Sequence, residues 1–530
     1  MENEKFKIKD GVLIEYTGDD DIIEIPDTVS VIGENVFRNK YASKMIISNS
    51  VKIIEKNAFR CSGFGEIIMN DGVMIIKEAA FFDARCNSIK FSKNLKEIGN
   101  SAFYFFKYYD LETHELELPS SLIKIGDDAF AMSDWLVPLP KSVKEIGENS
   151  YRYIKIKEVT IPSKLNIISE GAFSSCSDLK KVIIENAKQD IIKYRDYDKI
   201  VEDVEKVTTV HSTTKIKSGA FGYCQNLEEI IFPNTLTEIG SEAFWDCVSL
   251  KKVNIIVDEN LDICYNAFIN AGVEEVYICT TKSLNIKEWA FSNLENLKRL
   301  KIIGTKNSSI NIESYAFENC TRLEKIDIVT EGDVYIGDEA FKNCNELEDV
   351  NIIATGINMD NCVFENCIFL KRLNLQAGLT GVWIGEKAFA NCRLLHTINT
   401  ASEGTFSIYD NTFEGCISLE KINCGKIVSL KKCVGLYSYT PEEITNIVKT
   451  PEEIQVSINS VKKDNNYEEK SIHYNNIEDT ERKEQTEKIL EKLEEIENAI
   501  KKSTANKRNY NTSLDQNTIE DIIDGIWDIL

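Results

Sequence analysis

A small residue followed by an aromatic recurs down this chain at a nearly fixed interval, and no other feature restricts its fold as much. The aromatics are Phe37, Phe59, Phe81, Phe103, Phe130, Tyr151, Phe173, Phe221, Phe244, Phe268, Phe291, Phe317, Phe341, Phe364, Phe389 and Phe413. Neighbours lie 21 to 27 residues apart, save for one gap of 48 between Phe173 and Phe221. The preceding residue is Ala at twelve of the sixteen sites, and Val36, Ser150, Val363 and Thr412 at the others. Such a period means a stack of short units, none able to bury its own apolar groups, with a core built between neighbours. A chain of 530 residues exceeds what one compact core holds, and an elongated stack removes that difficulty.

Each unit has an internal grammar. After the aromatic comes a triplet of the form L-x-x-L-x-L, as in Leu250, Val253 and Ile255, or Leu370, Leu373 and Leu375. Its last two positions alternate, so they share one face of a short strand. A second apolar pair, such as Leu236 and Ile239, precedes the next aromatic. The prediction is an α/β repeat: a leucine-rich-repeat solenoid over residues 1–430 with a parallel β-sheet face, opened by a half-coil at 6–24. Two kinds of coil occur. The first half turns at Ile25-Pro26, Leu118-Pro119, Leu139-Pro140, Ile161-Pro162 and Phe232-Pro233, where Pro fixes φ for a turn. From Phe244 to Phe413 there is no Pro, and Gly304, Gly332, Gly356, Gly378 or Gly404 sits in the links. A change of curvature between the halves is expected. Residues 187–215 interrupt the period, and their charged amphipathic pattern predicts a looped-out helical insertion rather than an eroded coil.

Units such as Ile231-Phe-Pro-Asn-Thr-Leu-Thr-Glu-Ile-Gly-Ser-Glu-Ala-Phe-Trp-Asp-Cys-Val-Ser-Leu-Lys-Lys-Val, with the opening FKIKDGVLIEYTGDDDIIEIPDTVSVIGENVF, resemble the BspA-like leucine-rich-repeat family over about residues 6 to 430. The resemblance is specific for fold and poor for function. It implies a binding module, and secreted members are implicated in adhesion to extracellular matrix and to other cells. This sequence departs from that pattern: MENEKFKIKDG lacks the apolar region of a signal peptide, and no Leu-Pro-x-Thr-Gly sorting motif precedes the other end. Cytoplasmic residence is therefore expected, with a surface or exported adhesin as the alternative.

After Phe413 the period closes with Leu419, Ile422 and Cys424. Thr440-Pro441-Glu442-Glu443 and Thr450-Pro451-Glu452-Glu453 read as two helix starts, so a helical cap is expected over 431–464. A linker with two amphipathic helices is expected over 465–530. The first, about 479–502, covers too few heptads for an assured coiled coil. The second, 517–530, sets Ile519, Ile522, Ile523, Ile526, Trp527 and Leu530 on one side and Glu520, Asp521, Asp524 and Asp528 on the other. That short helical C-terminal tail is a candidate docking element.

Catalysis is not expected. His114, His211, His396 and His473 fall in no metal-ligand spacing, and there is no CxxC, phosphate-cradling loop or nucleophile elbow. No cofactor or metal is expected. Eight of the fifteen cysteines, Cys176, Cys224, Cys247, Cys320, Cys344, Cys367, Cys392 and Cys416, lie three residues after the repeat aromatic. That offset predicts small, buried, reduced core residues. A formal net charge of -24 disfavours nucleic acid and anionic lipid as partners, and no apolar run is long enough to span a membrane. The candidate partner-binding face consists of the residues flanking the inward strand positions. They form one row of Lys252, Glu275, Arg299, Lys325, Asp349 and Arg372, continued by Lys421, and a second of Asn254, Tyr277, Lys301, Asp327, Asn351 and Asn374, continued by Asn423. Both rows are expected to face solvent, and their mixed signs suit a protein partner.

Overall fold

The computed structural model describes residues 5–107, 115–185, 213–304, 308–402, 406–409, 411–424, 427–430 and 448–449. The chain enters through an antiparallel hairpin, Phe6–Lys9 with Val12–Tyr16. Its two-residue turn is Asp10-Gly11, both at positive φ, which is the backbone such hairpins need. The Tyr16 ring packs 5.3 Å from Phe37 and so closes the open end of the aromatic column.

From there the chain winds in coils, each giving a long strand and a shorter one. Short strands such as Val31–Ile32, Ile53–Ile54, Ile75–Ile76 and Glu97–Ile98 pair in parallel, coil upon coil. Long strands do the same, from Ile22–Glu24, Tyr41–Ile47, Gly63–Met69 and Arg85–Lys90 onward. In the first half these are separate sheets. In the second, Asp349–Met359 and Arg372–Ile384 run straight through the bend, and one 18-stranded sheet results. The prolines do what their fixed φ suggests. Val29, Leu122, Val143, Leu165 and Leu236 each donate their amide to the carbonyl of a Pro three residues earlier, closing a turn that drops the apolar residue into the core.

All sixteen repeat aromatics form one column, with ring centroids 4.7 to 5.8 Å apart along its whole length. Backbone geometry explains the small residue before each aromatic. The amide of Phe59 donates to the Ala80 carbonyl at 2.7 Å and that of Phe317 to the Ala340 carbonyl at 2.8 Å, and the pattern repeats coil after coil. A bulky side chain there would hold the coils apart. Across the 48-residue gap, Phe173 stacks on Phe221 with centroids 5.5 Å apart, and Lys181–Ile184 pairs with Glu229–Ile231. The coils on either side of residues 186–212 are therefore direct neighbours. The helical character expected for 187–215 falls mainly on residues outside the described ones.

The α part of the expected α/β repeat is not found. Among the described residues there is no helix, and the aromatic-bearing segments are consecutive tight turns. The physical cause is two left-handed residues per coil, two before and two after the aromatic, such as Asn57 and Cys61 around Phe59, or Tyr315 and Asn319 around Phe317. A helix cannot pass through a left-handed residue without losing its ladder. The short helical C-terminal tail, with the spans about 479–502 and 517–530, lies outside the described residues. Within the expected cap at 431–464, Val448–Lys449 is a strand that pairs with Ile422 and Asn423 and adds a rung to the sheet.

Candidate binding face

Strand register sets the candidate residues side by side. One row runs Lys252, Glu275, Arg299, Lys325, Asp349, Arg372, and the other Asn254, Tyr277, Lys301, Asp327, Asn351, Asn374, each residue directly beside the next coil's equivalent. Their strand neighbours Val253, Ile255, Val276, Ile278, Leu300 and Ile302 are fully buried and fill the core. The two rows therefore share the outward face.

In the first row the charges pair across strands. Lys252 lies 3.3 Å from Glu275, which also takes the Arg299 guanidinium, and Arg372 grips Asp349 with two bonds. In the second, the Asn374 amide donates to Asn351 at 2.7 Å, and Lys325 reaches Asp327 at 3.3 Å. The exposed pairs of the first row fix side-chain direction more than they stabilise the fold, whereas the Asp327 carboxylate that Lys325 meets is buried. The two rows carry five basic side chains against three carboxylates, on a chain whose net charge is -24.

Solvent exposure of the second row differs from the expectation. Tyr277, Lys301 and Asp327 are 1%, 0% and 1% exposed, so they are buried although they point away from the core. Burial pushes the Lys301 ammonium down to about 7, against the opposing pull of Asp327. The amphipathic period alone could not show this, because alternation tells which face a residue occupies and not what covers that face. The docking-helix residues Ile519, Ile522, Ile523, Ile526, Trp527 and Leu530 lie outside the described residues.

The periodic cysteines are all fully buried and all free. Each thiol contacts the carbonyl oxygen of the aromatic one coil earlier, for example Cys224 to Phe173 at 3.2 Å and Cys416 to Phe389 at 3.0 Å. Desolvation holds the thiols of Cys176, Cys224, Cys247, Cys320, Cys344, Cys367 and Cys392 protonated, with Cys224 raised to about 12. They are donors that satisfy a core carbonyl, a role that the offset from the aromatic did not reveal.

A second ladder escaped the sequence reading. Asn293, Asn319, Asn343, Asn366 and Asn391 are the left-handed residues of successive coils. Each side-chain amide donates to the preceding one at 2.9 to 3.1 Å. The signal was present as the repeated dipeptide Asn-Cys at 319–320, 343–344, 366–367 and 391–392. Among the described residues no group of three His, Cys, Asp or Glu is placed to hold a metal, and no helix is long and apolar enough to cross a membrane.

Short coils, an inward Leu/Val/Ile triplet and paired parallel strands define a leucine-rich-repeat β-solenoid. The sequence matches the BspA type leucine rich repeat region in six copies, at residues 21–107, 104–197, 199–311, 262–394, 310–440 and 379–489, and the chain belongs to that family. No curated protein matches it. Among solved structures it is similar to a leucine-rich repeat protein from Bacteroides ovatus, at 20% identity over 79% of this chain and 97% of that one, with a TM-score of 0.49. It is also similar to the pneumococcal vaccine antigen PcpA, at 17% identity over 84% and 94%, TM-score 0.32. A leucine rich cell surface protein from Faecalibacterium prausnitzii shares 22% identity over 62% and 93%, TM-score 0.25. Likeness at this level says nothing about function.

Proposed function

We propose that the chain is a non-catalytic scaffold that binds a protein partner on the outward face of its long strands. The observation that carries this reading is the first row of charged side chains, held in register over six consecutive coils, with Asn254, Asn351 and Asn374 of the second row beside it; the buried Tyr277, Lys301 and Asp327 take no part. A repeating flat array of donors and acceptors suits a folded protein surface, and its mixed signs do not suit a polyanion. Arg372, with its side chain 76% exposed, and Asn374 are the accessible end of that array. Residence in a reducing compartment belongs to the same reading, supported by the free thiols.

A photo-crosslinking residue in place of Asn374, used in cells, would trap the partner for identification. Direct titration of that purified partner should then show Arg372→Glu with Asn374→Arg weakening binding at least tenfold, while Lys93→Glu on another surface changes nothing. Unchanged affinity in the double variant would refute the face. Labelling of intact cells by a membrane-impermeant reagent would favour the exported alternative.

A further inference from the structure

The short strands present an outward surface of their own. Register sets Asn311, Tyr335, Asn358, Trp383 and Ser407 side by side on five successive rungs. Their strand neighbours Val334, Ile336, Ile357, Met359, Val382 and Ile384 are buried in the core, so the row faces outward. Tyr335, Asn358 and Trp383 are all exposed. One coil further on, the Tyr409 ring lies 6.2 Å from the Trp383 ring at an angle of 40°, so the two enclose a wedge and not a flat platform. Earlier rungs of the same row carry Glu238, Asp262 and Asn285, with no aromatic. Exposed apolar side chains scattered singly need no explanation. These aromatics instead recur in register, on every second rung, with amides between them. Among the described residues the Asn358 amide and the Trp383 indole N–H have no hydrogen-bond partner. Tyr335 donates its phenol O–H to Asp360, and the Asp338 charge acts on the same ring. Neither carboxylate forms an ion pair among the described residues.

Spacing selects the conformation of a ligand lying along this row. Two rungs measure ~9.6 Å at the strand spacing. A polyproline II helix completes its three-residue turn in ~9.3 Å. An extended β-strand repeats one face every ~6.8 Å, and two turns of an α-helix advance ~10.8 Å, so neither keeps step with the aromatics. We propose that Tyr335, Asn358 and Trp383, with Tyr409 beside them, bind a proline-rich segment of a partner protein in polyproline II conformation, accompanied by an Arg or Lys. Its pyrrolidine rings pack on Tyr335 and into the wedge between Trp383 and Tyr409. A segment of this kind has no internal hydrogen bonds, so its carbonyls are open to the Asn358 amide and the Trp383 indole N–H, both donors. Its conformation is preformed, so docking on an aromatic-lined surface loses little ordering entropy. The carboxylates of Asp338 and Asp360 complement a cation on the peptide, which a neutral glycan lacks. This row is separate from the charged row of the long strands and does not rest on that reading.

The test uses the full-length protein and a fluorescein-labelled peptide of four Pro-Pro-Arg repeats, with binding read by fluorescence anisotropy. A peptide of four Gly-Gly-Arg repeats carries the same charge on a flexible chain. The expected result is saturable binding of the first, at least tenfold tighter than of the second. Trp383→Ala should weaken that binding at least tenfold, and Lys93→Glu on another surface should leave it unchanged. Thermal unfolding followed by circular dichroism shows whether Trp383→Ala disturbs its coil. If it does, Asn358→Ala takes its place and should weaken binding at least threefold. Equal binding of the two peptides would reduce the contact to charge and overturn the proposal. Absence of saturable binding, or binding that both variants leave intact, would overturn it as well. A chitin hexasaccharide that binds where the peptide does not, and is lost in Trp383→Ala, would assign the row to a glycan and reject the peptide. Neither variant alters Arg372 or Asn374, so failure here leaves the long-strand reading standing.

Discussion

The coils before Tyr151 and those after Phe244 carry the same aromatic column on different fastenings. In the first group Pro119 and Pro140 set the bend in their coils and Ser48 and Ser92 accept the same turn bond in others, the long strands stop before the bend, and the left-handed residue after the aromatic varies, with Cys61, Asp83, Phe105 and Met132 in turn. In the second, Asp349–Met359 and Arg372–Ile384 cross the bend unbroken, and from Phe317 to Phe389 Asn and Cys hold the second and third positions after the aromatic. A bend made by Pro is fixed locally, at the expense of a backbone donor. A bend without Pro keeps its ladder, and here side-chain bonds between coils hold it. One column thus tolerates two ways of closing the coil, because its rings need only the small residue before them and the matching amide bond.

The column should be common to both halves. Phe317→Ala and Phe81→Ala are each expected to cost about 3–5 kcal/mol in chemical denaturation. A loss below about 1 kcal/mol at either site would mean that its half does not rest on the column.

Lys301 has no counterpart in the first half, and its effect should depend on pH. Its folded-state value of about 7 lies below the ordinary lysine value, so between those two pH values the unfolded chain binds more protons than the folded one. Stability should therefore rise from pH 7 to pH 10 by an amount on the order of a few kcal/mol, and Lys301→Met should remove that rise. Parallel curves for the two proteins would show that the ammonium is not desolvated.

The asparagine ladder should distinguish the halves. Asn343→Ala loses two amide bonds and puts Ala at a φ of 63°, at a combined cost of about 2–3 kcal/mol. The reverse change, Met132→Asn, places a residue that tolerates left-handed backbone at a φ of 58° and should gain up to about 1 kcal/mol. Equal and opposite effects of the same size would mean that only the backbone matters and the ladder adds nothing.

The smallest effect is expected on the face itself. Lys252→Ala removes an exposed pair with Glu275 and should change stability by about 0.5 kcal/mol or less. A larger loss would reassign that row from recognition to structure.

The sequence by itself determined the coil, its length, the inward residues and the column, because each follows from local spacing repeated many times. It also placed Lys252 to Arg372 and Asn254 to Asn374 in two rows, since strand alternation leaves no other arrangement for them. Only the tertiary structure decided which turns replace a helix, since left-handed backbone at Tyr315 or Cys61 is dictated by the fit between coils and by no propensity of Tyr or Cys. The same holds for the thiols, whose carbonyl partner belongs to the previous coil, and for Tyr277, Lys301 and Asp327. Burial of an outward side chain depends on what lies over it, and alternation along a strand carries no record of that.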